Sequence, residues 1–98
     1  MPSRPGGWNL SEFNEWVDRW IELDSPDDDV RLAVRAWLLS RLDDPYQGAR
    51  REPGFDNLWS CTVPGTRRGW TAVACSYFLF EATGTVRCNS LATLSWPV

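Results

Sequence analysis

The chain has 98 residues and a net charge of −3, with seven tryptophans, three cysteines and no histidine. This length is typical of one domain, residues 1–98, that buries its own core. An odd number of scattered cysteines excludes a disulfide framework and favours a reducing cytoplasm. The lack of histidine excludes a nucleophile activated by an imidazole. It also leaves only scattered thiols and carboxylates as zinc ligands, so we expect no metal and no cofactor. The sequence contains no signal peptide and no long apolar run, so we expect no membrane association.

Helical periodicity follows a Pro/Gly-rich tail, residues 1–8, which we expect to be flexible. Asn9 is a good N-cap residue, and Glu12 stands three residues on as its capping-box partner. Apolar side chains then recur at helical spacing along one face: Leu10, Phe13, Trp16, Val17, Trp20 and Ile21. We therefore predict an amphipathic helix over 10–23.

A second helix has an equally clear start signal. Ser25 is placed to cap it, Pro26 suits the first helical position, and Asp28 completes a Ser-x-x-Asp box. The aspartates at 27–29 crowd the first turn, where the helix dipole favours anions, and this explains them better than a metal or catalytic cluster does. We predict the helix over 26–44, because Asp44-Pro45 ends it.

The second half of the chain reads as strands separated by turn residues. We predict strands over 58–63, 71–81 and 85–94. Three consecutive strands joined by short turns form an antiparallel meander. The predicted fold class is therefore α+β, with two N-terminal helices packed on a three-stranded antiparallel sheet.

The last two strands form the hairpin on which the fold depends. Thr83-Gly84 offers a two-residue turn, which would place Val73 opposite Leu94 and Phe80 opposite Arg87. The more apolar face of this hairpin is expected to pack on the core. We expect the following side chains to be buried: Trp16, Trp20, Val34, Trp37, Leu38, Val73, Cys75 and Leu79.

Cationic and aromatic residues gather in this second half. Residues 1–45 hold five arginines against ten acidic residues, whereas residues 46–98 hold five arginines against three. Such side chains bind phosphates and stack on bases, form protein-binding hot spots, or simply cover a solvated sheet face, and the sequence leaves all three open. Arg87 is the candidate with the most fixed geometry, because it is the only arginine predicted on a strand. The other candidates for binding are Arg50, Arg51, Arg67, Arg68, Phe78 and Phe80.

The order of these parts resembles the RelE/ParE toxin superfamily. The likeness rests on the two helices, a Leu-x-x-Pro exit at 42–45, a basic loop and the Leu58-Trp59 strand. A Val-Pro-Gly turn at 63–65, a strand ending near Tyr77 and a hairpin into Val86 complete it. The resemblance implies a small bacterial toxin of a type II toxin-antitoxin system that acts on mRNA and the ribosome or on DNA gyrase. It also implies an antitoxin partner.

The same resemblance sets out what an active site would need. Members usually open with a strand before the first helix, and we predict none here. The ribonuclease branch uses Lys, Arg, His or Tyr near the end of the sheet, and this chain has neither Lys nor His. An endoribonuclease would therefore rest on Tyr77 and Arg87 as catalytic residues. The alternative is a non-enzymatic module that binds another protein through the same Arg/aromatic face.

Overall fold

The computed structural model of the protein describes residues 7–95 and arranges them as a five-stranded mixed sheet with two helices on one face. The elements are β1 (Asn9–Ser11), α1 (Phe13–Asp24), α2 (Asp28–Ser40), β2 (Arg50–Arg51), β3 (Leu58–Thr62), β4 (Thr71–Phe80) and β5 (Thr85–Ser95). The strand order is β1-β5-β4-β3-β2. The predicted α+β class is confirmed, but the predicted three-stranded sheet is too small. The meander β3–β5 is its centre, flanked by a parallel β1 and an antiparallel β2.

The N-terminal segment differs most from the prediction. Asn9 does not cap a helix: it begins β1, which pairs in parallel with β5, and its amide donates to the Gly84 carbonyl at 2.8 Å. Trp8, which was predicted to belong to the flexible tail, is only 4% exposed, and its amide donates to the Leu42 carbonyl at 2.9 Å. Residues 1–6 of that tail lie outside the described range. Partners more than thirty residues away decide this conformation, and a local capping signal cannot reveal them.

The helix junction also departs from its predicted capping box. Ser25 ends α1 rather than starting α2: it has φ 45° and its amide donates to the Ile21 carbonyl at 3.0 Å. The following helix begins at Asp28 and ends at Ser40, four residues before the predicted end. The chain must reverse direction within three residues, and Ser25 takes the left-handed conformation that this tight reversal requires.

The β4–β5 hairpin has a longer turn than predicted. Phe80 pairs with Thr85, so four residues, 81–84, form the connection. Arg87 therefore lies opposite Phe78 instead of Phe80, and Leu94 opposite Ala72 instead of Val73. Gly84 has φ 66°, a value that suits glycine in this turn.

A bulge further along β5 changes which residues face the core. The register shifts between Ser76 and Tyr77, and Asn89 is left without a directly paired residue on β4. Beyond it the alternation of β5 is reversed, so Leu91 is buried while Leu94 is 48% exposed.

The core lies between the helices and one face of the sheet. The predicted burial of Trp20, Val34 and Trp37, and of alternate residues along β4, is confirmed, whereas Trp16 and Leu38 are half-buried. Cysteines 61, 75 and 88 are free thiols, the last two buried. Neither helix is long and apolar enough to cross a bilayer. The helices cover one face of the sheet, so the other face is available for contacts.

Candidate functional site

The sheet face turned away from the helices, here called the open face, holds an arginine over two neighbouring phenyl rings. The Arg87 guanidinium carbon is 5.5 Å from the ring centroids of both Phe78 and Phe80, and the two rings are 6.3 Å apart. Ring faces attract cations, and strands hold side chains in more fixed positions than loops do. The Arg87 side chain is still 48% exposed, so its charge is accessible from solvent.

A carboxylate completes this cluster. The Glu12 Oε2 atom lies 3.6 Å from the Arg87 Nε atom. The sequence predicted a capping role for Glu12, but its side chain makes no hydrogen bond to the N-terminal turn of α1. No sequence signal placed it beside Arg87, since the contact depends on the parallel pairing of β1 with β5.

A row of hydroxyl groups crosses the open face next to this cluster. Ser60, Ser76 and Ser90 are paired across β3, β4 and β5, and the Oγ atoms of Ser76 and Ser90 are 2.6 Å apart. The bulged Asn89 donates its side-chain amide to Ser76 Oγ at 2.9 Å. Arg50 is opposite Ser60 and continues the row to the far edge.

Arg50 and Arg87 therefore stand at opposite sides of the open face. Their strands, β2 and β5, are three strand spacings apart, which corresponds to about 15 Å. The prediction that Arg87 is the only arginine on a strand is wrong, because Arg50 and Arg51 form β2. Between the two cations lie hydroxyls and phenyl rings, a surface that offers charge, hydrogen bonds and stacking together.

The remaining predicted arginines lie elsewhere. Arg51 is opposite Trp59, on the helix side of the sheet, and donates to the Phe55 carbonyl at 3.1 Å. Arg67 and Arg68 precede β4, whose first residue, Thr71, is about 24 Å along the strand from Phe78. Arg68 is paired with Asp29 at 2.5 Å, and its hydrogen bond lowers the pKa of that carboxyl group. These three arginines do not belong to the open-face cluster.

Tyr77 is also separated from Arg87, on the helix side of the sheet. It is completely buried; its hydroxyl donates to the Pro45 carbonyl at 2.5 Å and accepts from Arg41 Nη1 at 3.2 Å. Burial raises its pKa to about 12. The geometry gives no route from this hydroxyl to a substrate on the open face, and the predicted catalytic pair is not brought together.

Arg41 is a residue that the sequence reading missed. It is only 3% exposed and donates to the carbonyls of Pro45 and Gln47 as well as to Tyr77. Its guanidinium carbon lies 4.9 Å from the Trp37 ring. A signal was present, since positions 34, 37 and 41 follow the spacing of one helix face. Arg41 fixes the loop that leads to β2, and so helps to place Arg50.

A second concave surface lies between the two helices, here called the α1–α2 groove, with a volume of about 410 Å³. Apolar side chains, among them Val17, Ile21 and Leu38, form much of its lining. Arg31 and Arg35 line the α2 side, whereas Glu12 and Glu15 lie at the α1 side. Its apolar floor and charged borders are suited to an amphipathic partner.

Comparison with solved structures finds the Escherichia coli toxin RelE, determined as a mutant in the free state. The superposition has a TM-score of 0.62 and covers 87% of this chain and 81% of that one, at 15% sequence identity. The chain has a RelE-like fold. The superfamily resemblance is thereby supported at the level of the fold, including the opening strand that the sequence reading left out.

No family model and no curated protein matches the sequence. Fifteen per cent identity carries the fold and not the chemistry, since one fold supports many functions. The function must therefore be argued from the open face and the α1–α2 groove.

Proposed function

We propose that the chain is a cytoplasmic bacterial toxin of a type II toxin-antitoxin system that engages RNA or the ribosome through its open face. The observation that carries the proposal is the exposed Arg87 held against Phe78 and Phe80 on a RelE-like fold. A guanidinium beside aromatic rings combines phosphate binding with base stacking, which is how proteins recognise single-stranded RNA. Arg50 adds a second cation to the same face.

The charge distribution supports this choice of target despite the negative net charge. Ten of the thirteen acidic residues fall within residues 1–45, which contain both helices. The open face is formed mostly by strands from the arginine-rich second half, so the local potential there is more positive than the whole-chain charge implies.

Growth inhibition tests the proposal. Expression of the wild-type chain in a bacterial host is expected to arrest growth, and Arg87→Ala is expected to abolish the arrest. Purified Arg87→Ala should bind single-stranded RNA about tenfold to a hundredfold more weakly, because a fixed guanidinium contact is lost. Its thermal stability should change little, since about half of the side chain is exposed.

Arg67→Ala is the matched control, because Arg67 is an exposed loop arginine outside the open-face cluster. We expect a smaller effect on RNA affinity that fades as salt is raised. Full growth arrest by Arg87→Ala would contradict the proposed surface. RNA cleavage by the wild-type chain would identify an endoribonuclease, whereas inhibition of gyrase supercoiling without RNA binding would identify gyrase as the target.

The α1–α2 groove supports an antitoxin partner. We propose that an amphipathic helix of the antitoxin packs on its apolar floor and turns acidic side chains toward Arg31 and Arg35. This groove also favours the second candidate function, a non-enzymatic module that binds another protein. The two candidates differ in one respect: only the toxin arrests growth when its partner is missing.

Reversing one charge in the groove tests this partner site. Arg35→Glu is expected to weaken the complex with the product of a neighbouring short reading frame about tenfold, mainly through slower association. Growth arrest by the variant alone should persist, because Arg35 is far from the open face. Arg19→Glu, on the exposed side of α1 and outside the groove, is the control. Equal loss of neutralisation by both variants would mean that net charge, and not the groove, directs the partner.

A further inference from the structure

Glu12 occupies a backbone position that its residue type disfavours. It has φ 65° and ψ 10°, in the left-handed region that residues with a Cβ atom rarely adopt and glycine adopts freely. Its side chain makes no capping hydrogen bond to the helix that follows. Strain of this kind persists where the surrounding structure holds it, often at functional sites.

The side chain of Glu12 contacts the open face. Its Oε2 atom is 3.6 Å from Arg87 Nε, with 55% of the Glu12 side chain and 48% of the Arg87 side chain exposed. So exposed a pair contributes little to stability, and the contact alone does not explain why a glutamate stands there. The effect of Glu12 on Arg87 is more specific, because the carboxylate lies at the Nε edge of the guanidinium.

The Arg87 guanidinium has neighbours at its Nε edge and beside its plane. The Phe78 and Phe80 rings lie beside it, and the Glu12 carboxylate forms an ion pair at its Nε edge, at a distance of 3.6 Å that is too long for a hydrogen bond. Within residues 7–95, no ion pair or side-chain hydrogen bond engages its Nη1 and Nη2 atoms. These two nitrogens form the fork that binds two oxygens of one phosphate.

We infer that Glu12 is a positioning residue, whose carboxylate attracts the Nε edge of Arg87 and thereby directs the Nη fork toward a phosphodiester of single-stranded RNA. The inference rests on the proposed function of the open face. A carboxylate near the site repels phosphate, so charge repulsion alone predicts that removing the Glu12 charge tightens RNA binding. The positioning role predicts the opposite, that removing this charge weakens RNA binding.

The test measures binding of a fluorescent single-stranded RNA oligonucleotide by anisotropy, for Glu12→Gln, Glu12→Gly, Arg87→Ala and the Glu12→Gln/Arg87→Ala double variant. We expect Glu12→Gln to weaken binding about threefold to tenfold, and to add nothing in the Arg87→Ala background, because it acts through Arg87. Glu12→Gly should weaken binding similarly while raising the melting temperature, since glycine relieves the backbone.

Nuclear magnetic resonance of the free protein supplies a readout that does not depend on RNA. The chemical shift of the Arg87 Nε–H group should differ between the wild type and Glu12→Gln, because the substitution removes the carboxylate charge beside Nε. An unchanged Arg87 signal would overturn the positioning role. So would unchanged or tighter RNA binding by Glu12→Gln, or a lower melting temperature for Glu12→Gly.

The two levels of the proposal fail differently. If Arg87→Ala weakens RNA binding and Glu12→Gln does not, the positioning role is wrong and the open face remains the site. If neither variant changes RNA binding, the proposed function of this face fails, and the inferred phosphodiester ligand fails with it.

Discussion

Replacing Arg41 by methionine is expected to lower the free energy of unfolding by about 2–4 kcal/mol. Arg41 is 3% exposed and donates to the Gln47 carbonyl at 2.7 Å and to the Pro45 carbonyl at 3.3 Å. Methionine fills a similar volume but has no donor, so the Gln47 carbonyl loses a charge-assisted hydrogen bond. Tyr77 still donates to Pro45, which limits the loss.

The size of this effect depends on what surrounds the buried charge. Replacing a buried ion pair by apolar residues is often neutral, because two desolvation costs disappear together. Arg41 has neutral carbonyl and hydroxyl partners instead, and these stay behind in the variant. Arg41→Lys should recover only part of the stability, since an ammonium group cannot reproduce the planar fork.

Chemical denaturation measures this prediction, with Arg35→Met as control. Arg35 lies on the exposed side of the same helix, and its replacement should change the free energy of unfolding by less than about 0.5 kcal/mol. Equal effects of the two substitutions would show that the Arg41 network contributes nothing specific to the fold.

Truncating Trp37 to alanine is expected to cost about 3–5 kcal/mol, the largest effect predicted for this chain. The indole is 6% exposed and packs against the Tyr77 ring, with centroids 6.1 Å apart. Its removal leaves a cavity between α2 and the sheet and takes away the ring beside the Arg41 guanidinium. The corresponding fall in melting temperature is about 15–30 °C for a domain of this size.

Trp70→Ala is the matched control, because this tryptophan is 60% exposed. Calorimetry should find a change of less than about 0.5 kcal/mol for it. A Trp37 variant that melts within a few degrees of the wild type would contradict the packing described here. The double variant with Arg41→Met should be less destabilised than the two single effects would suggest, because the side chains are in contact.

The parts of the fold that the sequence predicted are those governed by local periodicity. Apolar spacing identified both helices, and alternation along β4 identified its buried face. The first strand was missed because its partner, β5, is more than seventy residues away. The hairpin register was missed because Thr83-Gly84 suggested the shortest turn, whereas the chain uses four residues and adds a bulge at Asn89.

The site shows a similar division. Arg87 contacts both phenylalanines, although it is paired with Phe78 and not with Phe80 as predicted. Diagonal neighbours on adjacent strands are also within reach of each other. The burial of Tyr77 could have been predicted from the sequence. The alternation that buries Val73 and Cys75 also buries Tyr77, so the pattern itself argued against an exposed catalytic role. Glu12 was beyond prediction, because its contact depends on a non-local strand pairing.

The outer strands determine where other molecules can extend this sheet. At one edge β2 has two residues, whereas at the other β1 has three and pairs only with residues 85–87 of the eleven-residue β5. Within residues 7–95, no strand pairs with the outer side of β5 over 88–95, where the Asp24 carboxylate accepts a hydrogen bond from the Thr93 amide. This part of β5 can serve as a template for an incoming strand. A partner that extends the sheet by adding its own strand would therefore pair with β5, and its specificity would come from backbone pairing as well as from side-chain chemistry.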